Sequence, residues 1–204
     1  MPTTKVDYKR ELRELYSAKA VPKLVEVPEL SFLMIDGHGD PNTSRDYEEA
    51  IGALYSIAYA AKFAVKNSGG GDVTVMPLEG LWWADDFASF TQGDRDAWSW
   101  RMMIMQPEQV TDEVFAAARE RAGQKDPHLP LDRLRLERRT EGAAAQILHV
   151  GPWAEEGPTI ERLHAFITER GYALRGEHHE IYLSDPRRTT PDRLKTILRQ
   201  PVAT

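Results

Sequence analysis

The sequence predicts an α+β fold in which two strand–helix–strand–strand repeats form one curved antiparallel sheet, with helices on one face and a ligand groove on the other. One observation behind this prediction is a long amphipathic helix at about residues 44–66, and another is the set of strand-like apolar runs on either side of it. The third is that the same order of elements occurs again in the second half of the chain.

The elements of the first half follow from apolar spacing and turn residues. A short charged helix is predicted over residues 4–18, and a strand over residues 25–37 runs into a glycine turn. Thr43 or Ser44 can cap the long helix, which the SGGG at 68–71 stops. The apolar residues with helical spacing are Tyr47, Ile51, Leu54, Tyr55, Ala58, Ala61 and Val65.

Similar signals predict the remaining elements. The sequence predicts a strand over residues 73–85 that breaks at Pro77, a loop with Gly93 and Asp94, a strand over 98–107, a helix over 111–122 that starts at Thr111, a strand near 143–150, a helix over 158–170 and a strand within 171–186. We expect one or two helical turns after Pro191 to end the chain.

An internal repeat supports the division of the chain. When Ala84 is aligned with Ser184, Gly80 pairs with Glu180 and Trp82 pairs with Tyr182. Sequence identity between the halves is low, so the matched order of elements carries the prediction. We therefore expect an N-terminal extension over residues 1–24 and one domain over 25–204, with repeats at about 25–107 and 134–204.

Composition narrows the classes of function. The chain has 204 residues, 41% of them hydrophobic and 28% charged, as in an ordinary globular protein. Its net charge of −6 and the lack of a basic stripe argue against direct nucleic-acid binding. It has no cysteine, no apolar signal segment and no run long enough to span a membrane, so we expect a cytoplasmic protein with no membrane contact.

The common catalytic and cofactor motifs are missing from the sequence. His178 and His179 are adjacent and would face opposite ways on a strand, so we expect no metal and no cofactor. The GHGDP turn at 37–41 lacks the G-x-x-x-x-G-K pattern of a phosphate-binding loop. No G-x-S-x-G element occurs, which argues against a serine hydrolase.

The segment HHEIYL at 178–183 carries the main candidate site. Strand alternation places His178, Glu180 and Tyr182 on one face, and Ile181 and Leu183 on the face that we expect to pack against helices. A carboxylate and a phenol on one face can share a water, and an apolar groove would raise the pKa of the carboxylate toward that of a general base. The alternative is that Glu180 pairs with an arginine and Tyr182 caps the core.

The tryptophans form a second candidate feature. Trp82 and Trp83 point to opposite faces of a strand, whereas Trp98 and Trp100 share one face. Indole rings in a groove would bind flat aromatic or cationic ligands, but each tryptophan can also be a core residue. Met102 suits either a core or an adaptable pocket wall.

Several long segments of the chain resemble one subgroup of the GyrI-like small-molecule-binding domains. The segments that carry the resemblance are MIDGHGDPN, ALYSIAYAAKFAVK, PLEGLWWADD, WSWRMMIMQP and HHEIYLSDPRRTTPDRLKTILRQP, which together fall within residues 5–201. The resemblance implies a two-repeat domain with a central groove, in which Glu180 contacts the ligand beside Tyr182. It implies walls at Trp82 and Trp100, and we add Gly80, Met102 and His178 as substrate-binding residues.

The resemblance also suggests an activity. Stand-alone members of this family resemble cyclopropanoid hydrolases, which open the strained ring of spirocyclopropyl-dienone DNA alkylators with water. Glu180 would take the proton from the water and Tyr182 would orient it. Two other hypotheses stay open, namely a non-catalytic protein that sequesters hydrophobic or aromatic small molecules, and a module that binds gyrase or a toxin. The oligomeric state is not predicted.

Overall fold

The structure, a computed structural model, describes residues 5–84 and 95–204. The predicted loop around Gly93 and Asp94 lies outside these residues. The described helices are α1 (Tyr8–Glu11), α2 (Arg13–Tyr16), α3 (Arg45–Asn67), α4 (Asp112–Lys125) and α5 (Gly157–Glu169). The described strands are β1 (Lys5–Val6), β2 (Lys23–His38), β3 (Asp72–Val73), β4 (Leu78–Trp83), β5 (Ser99–Gln106), β6 (Arg135–Val150), β7 (Ala173–Leu174), β8 (His178–Tyr182) and β9 (Lys195–Ala203).

Seven strands form the main sheet, in the order β6-β2-β5-β4-β8-β9-β7, and β6 also pairs with β9. The ladders of β2 with β5, and of β9 with β6, β7 and β8, are all antiparallel. Strands β1 and β3 form a separate parallel pair. The α+β class and the antiparallel sheet are therefore confirmed, whereas the two-repeat symmetry and the groove stay predictions.

The long helix α3 forms where its sequence signals place it. The Ser44 side chain caps the helix by accepting a hydrogen bond from the Tyr47 backbone N–H at 3.2 Å. Its buried residues are Ala50, Ala53, Leu54, Ile57, Ala58, Ala61 and Val65. No described helix is both long enough and apolar enough to cross a membrane.

The chain divides into two compact units. Unit 1 comprises Met1–Tyr8, Leu30–Met76 and Trp82–Arg139. In it α3 packs against α4, β3 and β5. The ladder between β2 and β5 runs from the pair Ser31–Gln106 to the pair His38–Ser99.

Unit 2 comprises Lys9–Glu29, Pro77–Leu81 and Thr140–Thr204, and it holds β8, β9 and most of β6 around the candidate site. One side of its sheet packs against α5 through a cluster of buried apolar residues. The members of this cluster are Ala145, Ile147, Leu163, Ile167, Leu198 and Val202.

Helices lie on both faces of the sheet in unit 2, which corrects the prediction that they cover only one. Leu198 packs against α5, and the next residue, Arg199, points to the opposite face. There the Arg199 guanidinium donates a hydrogen bond to the Leu15 carbonyl of α2 at 2.6 Å. The N-terminal segment therefore lies against the face of this sheet that is opposite α5.

The end of the chain also differs from the prediction. Pro191–Arg193 forms one 3-10 turn, but the nine residues of β9 follow it instead of further helix. The segment contains β-branched Thr196, Ile197 and Val202, which favour strands, and Pro201, which cannot donate in a helix. Pairing with both β6 and β8 then holds β9 inside the sheet.

Three smaller differences concern element boundaries. The helix predicted over residues 4–18 is interrupted at Leu12 and forms α1 and α2. Strand β6 starts at Arg135, eight residues before the predicted strand, and its charged first half is mostly exposed or half-buried. The predicted break at Pro77 separates β3 from β4.

Candidate functional site

Strand β8 carries the candidate site because its side chains alternate between two different environments. His179 and Ile181 are buried, whereas His178, Glu180 and Tyr182 are partly exposed. In the ladder with β9, Glu180 lies opposite Leu198 and His179 opposite Arg199. The predicted alternation along this strand is confirmed.

Glu180 is held by its neighbours on β8. The Tyr182 hydroxyl donates a hydrogen bond to Glu180 Oε2 at 2.7 Å, and His178 Nε2 lies 3.6 Å from Glu180 Oε1. The side chains of His178 and Glu180 are 16% and 15% exposed, so solvent can reach this carboxylate. The structure does not pair Glu180 with an arginine, which was the alternative. On β8 its partners are the phenol of Tyr182 and the imidazole of His178.

The site lies on the face that α5 covers, and the prediction that Glu180 faces away from the helices is wrong. Opposite residues in an antiparallel ladder share a face, so Glu180 lies on the Leu198 side, against which α5 packs. Glu156, directly before α5, neighbours Glu180, and His164 within α5 interacts with His178. The sequence could not show this, because it does not set the side of the sheet that a helix covers.

Glu156 is the residue that the sequence analysis missed. It is 4% exposed, and burial together with the negative charge of Glu180 raises the pKa of Glu156 to about 9. The Glu156 side chain makes no capping hydrogen bond to α5, so the helix N-terminus does not hold it as an anion. Two neighbouring carboxyls with unequal burial are a recurring arrangement for acid–base chemistry.

Two aromatic rings border this pair of carboxyls. The rings of Trp153 and Tyr182 meet edge to face, with centroids 5.7 Å apart. Trp153 is 44% exposed, so its indole is available for stacking against a flat ligand. Trp153 was not among the predicted site residues, although it lies in the Gly-Pro turn before α5.

Buried polar atoms concentrate around Glu180. Of the buried side-chain atoms that have no hydrogen-bond partner among the described residues, four belong to this site, namely Glu156 Oε1, His164 Nε2, His178 Nε2 and Thr196 Oγ1. Because buried polar atoms are nearly always paired, they are the natural contacts for a polar ligand group or a water. Burial, and then the neighbouring His178, lower the pKa of His164.

The opposite face of β8 holds a polar network that the sequence analysis also missed. His179 binds Glu141 through Nδ1 and Glu79 through Nε2, both at 2.9 Å. The Tyr16 hydroxyl donates to Glu79 at 2.7 Å, and Arg199 donates to Glu141 at 3.2 Å. The side chains of His179, Arg199, Glu141 and Glu79 are between 0% and 4% exposed.

The ionisable groups of this buried network stabilise one another. Burial opposes the charged form of His179, but Glu141 and Glu79 outweigh it and raise the pKa of His179. Burial likewise acts against ionised Glu141, yet His179 and Arg199 lower the pKa of Glu141 to about 2. Each of these side chains is hydrogen-bonded within the network. Such a satisfied, inaccessible network supports structure better than it supports catalysis.

Three of the other predicted binding residues, Trp82, Trp100 and Met102, lie in unit 1, whereas Gly80 lies in unit 2 on β4, the strand next to β8. Trp82 and Trp100 are 5% and 0% exposed, and both rings contact Tyr47 of α3 in unit 1. They pack beneath a helix, which corrects the expected position on an open wall. Met102 is fully buried in β5, and Gly80 is buried in β4. A binding role for these four residues stays a prediction.

Gly37 explains how Trp100 fits. The two residues are paired across β2 and β5, and a Cβ atom on Gly37 would lie 2.0 Å from the Trp100 ring. Only glycine leaves room for the indole at this point. Gly37, near the end of β2, is thus a packing feature of unit 1.

Among residues 5–84 and 95–204, no group of three or more His, Asp or Glu side chains is arranged to hold a metal ion.

Comparison with solved structures places the chain among close relatives. An uncharacterized conserved protein from Listeria innocua is 42% identical, with a TM-score of 0.91, over 97% of this chain and 100% of that one. A hydrolase encoded by lin2189 from Listeria innocua is 41% identical, with a TM-score of 0.89, over 98% of this chain and 100% of that one. A comparison with curated proteins finds no match.

A more distant structure shares the fold alone. The EcmrR C-terminal domain is 12% identical, with a TM-score of 0.55, over 90% of this chain and 97% of that one. The family model of the GyrI-like small molecule binding domain matches residues 21–203, nearly the whole chain. The chain therefore belongs to the GyrI-like small molecule binding domain family.

Proposed function

We propose that this protein hydrolyses strained cyclopropyl-dienone genotoxins, with Glu180 activating the attacking water, and thereby detoxifies them. The observation that carries the proposal is the partly exposed Glu180 carboxylate, held by the Tyr182 hydroxyl next to the exposed indole of Trp153. A 41% identical structure from Listeria innocua is that of a hydrolase, which supports an enzymatic activity. Because the chain belongs to a small-molecule-binding family, a substrate of small-molecule size is also supported.

The reaction needs one base, placed beside the water that attacks the cyclopropane carbon. Glu180 accepts a proton from water while the water oxygen bonds to the cyclopropane CH₂ carbon. The carbon–carbon bond to the spiro centre breaks, and its electron pair passes into the ring, so the dienone oxygen becomes a phenolate. Solvent then supplies the proton that converts the phenolate to a phenol. Relief of ring strain and the gain of aromaticity drive the reaction, so a single positioned base is enough.

The aromatic residues would hold the substrate. Spirocyclopropyl-dienones of this class are flat and polycyclic, and the Trp153 ring offers them an exposed face next to Tyr182. When the protein holds the cyclopropane beside the water that Glu180 activates, the bimolecular attack becomes effectively unimolecular. His178, whose side chain is 16% exposed and lies 3.6 Å from Glu180, can also contact a polar group of the substrate.

The test is incubation of the protein with a spirocyclopropyl-dienone alkylator in ¹⁸O water, followed by mass spectrometry of the product. We expect a product with one added water that carries ¹⁸O, and at least about a hundredfold slower turnover by Glu180→Gln with little change in ligand affinity. Glu155→Gln, which removes an exposed neighbouring carboxylate, is the matched control and should turn over like the unmodified protein. Full turnover by Glu180→Gln would exclude Glu180 as the base.

Non-catalytic binding is the second candidate, and the acidic pair beside an exposed indole favours it. A carboxylate next to Trp153 suits a flat cationic ligand by charge and cation–π attraction. In that case the compound binds and is recovered unchanged, and Glu180→Gln weakens its affinity. The same incubation therefore separates hydrolysis from sequestration.

A further inference from the structure

Glu156 and Glu180 are neighbouring carboxyls with unequal surroundings. Glu156 is 4% exposed, and its Oε1 atom is buried without a hydrogen-bond partner. Glu180 is more accessible, accepts the Tyr182 hydroxyl and lies near His178. The proposed hydrolysis uses Glu180 and leaves the buried carboxyl of Glu156 without a role.

Two ionised carboxylates in contact inside a protein repel each other, so such a pair holds one proton at neutral pH. The position of this proton follows from the surroundings. The Tyr182 hydroxyl stabilises negative charge on Glu180, whereas deeper burial disfavours the charge on Glu156. The proton therefore resides on Glu156.

We propose that Glu156 is a positioning residue that keeps this proton and donates it as a hydrogen bond to Glu180, so that Glu180 stays ionised and oriented toward its water. This inference rests on the proposed function, because it takes Glu180 as the base. Glu156 is 4% exposed and interacts with Glu180, so it acts through Glu180 and not on the substrate directly.

The arrangement sets an alkaline limit. Above about pH 9, the value to which burial and Glu180 raise the pKa of Glu156, both carboxyls are ionised and repel, and the orienting hydrogen bond is lost. The other titratable groups near the pair on the packed elements are Tyr182 and His178 on β8, His149 on β6, Glu155 in the turn before α5, and His164 on α5. Of these, the carboxyl of Glu155 is exposed and makes a matched control.

The pair can be tested without any substrate. Carbon-13 NMR of the glutamate side-chain carboxyls, titrated from pH 4 to 11, should show one carboxyl that keeps its proton to about pH 9. That late transition should vanish in Glu156→Gln, move to lower pH in Glu180→Gln because the charge of Glu180 is lost while the burial of Glu156 remains, and persist unchanged in Glu155→Gln. If every carboxyl of the unmodified protein loses its proton below pH 7, the inference is overturned, and this result does not depend on the folding of any variant.

The pH profile of turnover tests the positioning role. The unmodified protein should lose kcat above about pH 9, after subtraction of the reaction without protein. Glu156→Gln keeps a hydrogen-bond donor without a titrating proton, so it should keep turnover within a few-fold at pH 7 and lack the alkaline decline. An unchanged decline in Glu156→Gln overturns the inference while leaving the hydrolase intact. A late carboxyl transition in a protein that never turns over the dienone would support the pair and reject the hydrolase.

Discussion

His179 and Glu180 are consecutive residues of β8, yet they belong to two different kinds of polar site. On the His179 face, two glutamates, a histidine, an arginine and a tyrosine are hydrogen-bonded to one another and shielded from solvent. On the Glu180 face, two carboxyls lie side by side, and four buried polar atoms have no partner among the described residues. The polar groups of the first face are paired with one another, whereas the second face combines two adjacent carboxyls with polar atoms that lack partners in the described part of the chain.

This difference separates a structural role from a chemical one. Removing a member of a satisfied ionic network leaves buried charges without partners, which mainly costs stability. Removing a member of an unsatisfied cluster costs little stability, because few native interactions are lost. Residues kept in an unsatisfied, charged environment are typical of functional sites. The comparison therefore assigns chemistry to the Glu180 face and support to the His179 face.

The largest expected effect is on stability, from Arg199→Met. Methionine has a similar length but removes the guanidinium that donates to Gln146 Oε1, to the Leu15 carbonyl and to Glu141. Glu141 then keeps only His179 as its side-chain partner among the described residues. Breaking a buried ion pair in this way should lower the free energy of unfolding by about 3–5 kcal/mol, as measured by urea unfolding at pH 7. Glu180→Gln on the other face should lower it by less than about 1 kcal/mol. Equal losses from the two variants would contradict the comparison.

The next effect is acid sensitivity, which should come from the His179 face. Since the pKa of Glu141 is lowered from 4.5 to about 2, folding gains stability above pH 4.5 that is lost as the pH falls toward 2. A shift of this size corresponds to about 3 kcal/mol. Urea unfolding at several pH values between 2 and 6 should show this loss in the unmodified protein.

The control for acid sensitivity is Glu141→Gln. This variant should be less stable at pH 6 and should have a flatter dependence on pH, because it lacks the titrating carboxylate. An equally steep acid dependence in Glu141→Gln would show that other carboxylates set the acid limit.

The smallest expected effect on stability comes from Tyr182→Phe on the Glu180 face. Phenylalanine keeps the ring that meets Trp153 but removes the hydroxyl that donates to Glu180. Thermal unfolding should change by about 1 kcal/mol or less, whereas turnover should fall roughly tenfold because the base is less well oriented. A large loss of stability with full turnover would place Tyr182 among the supporting residues instead.

Much of the local structure could be predicted, because it depends on neighbours in the chain. The Ser44 cap, the apolar stripe of α3, the Thr111 start of α4 and the alternation along β8 all follow from short-range spacing. The end of the chain could not be predicted this way. Lys195–Ala203 is a strand because β6 and β8 hydrogen-bond to it from both sides, and these partners lie far away in sequence.

By itself, the sequence determined the α+β class, the family and the identity of Glu180 and Tyr182 as neighbours on one strand face. Only the tertiary structure decided what surrounds them. Glu156 lies 24 positions from Glu180 and Glu79 lies 100 positions from His179, so no local pattern links these side chains. Their roles depend on burial and on the charge of a distant partner, and packing alone sets both.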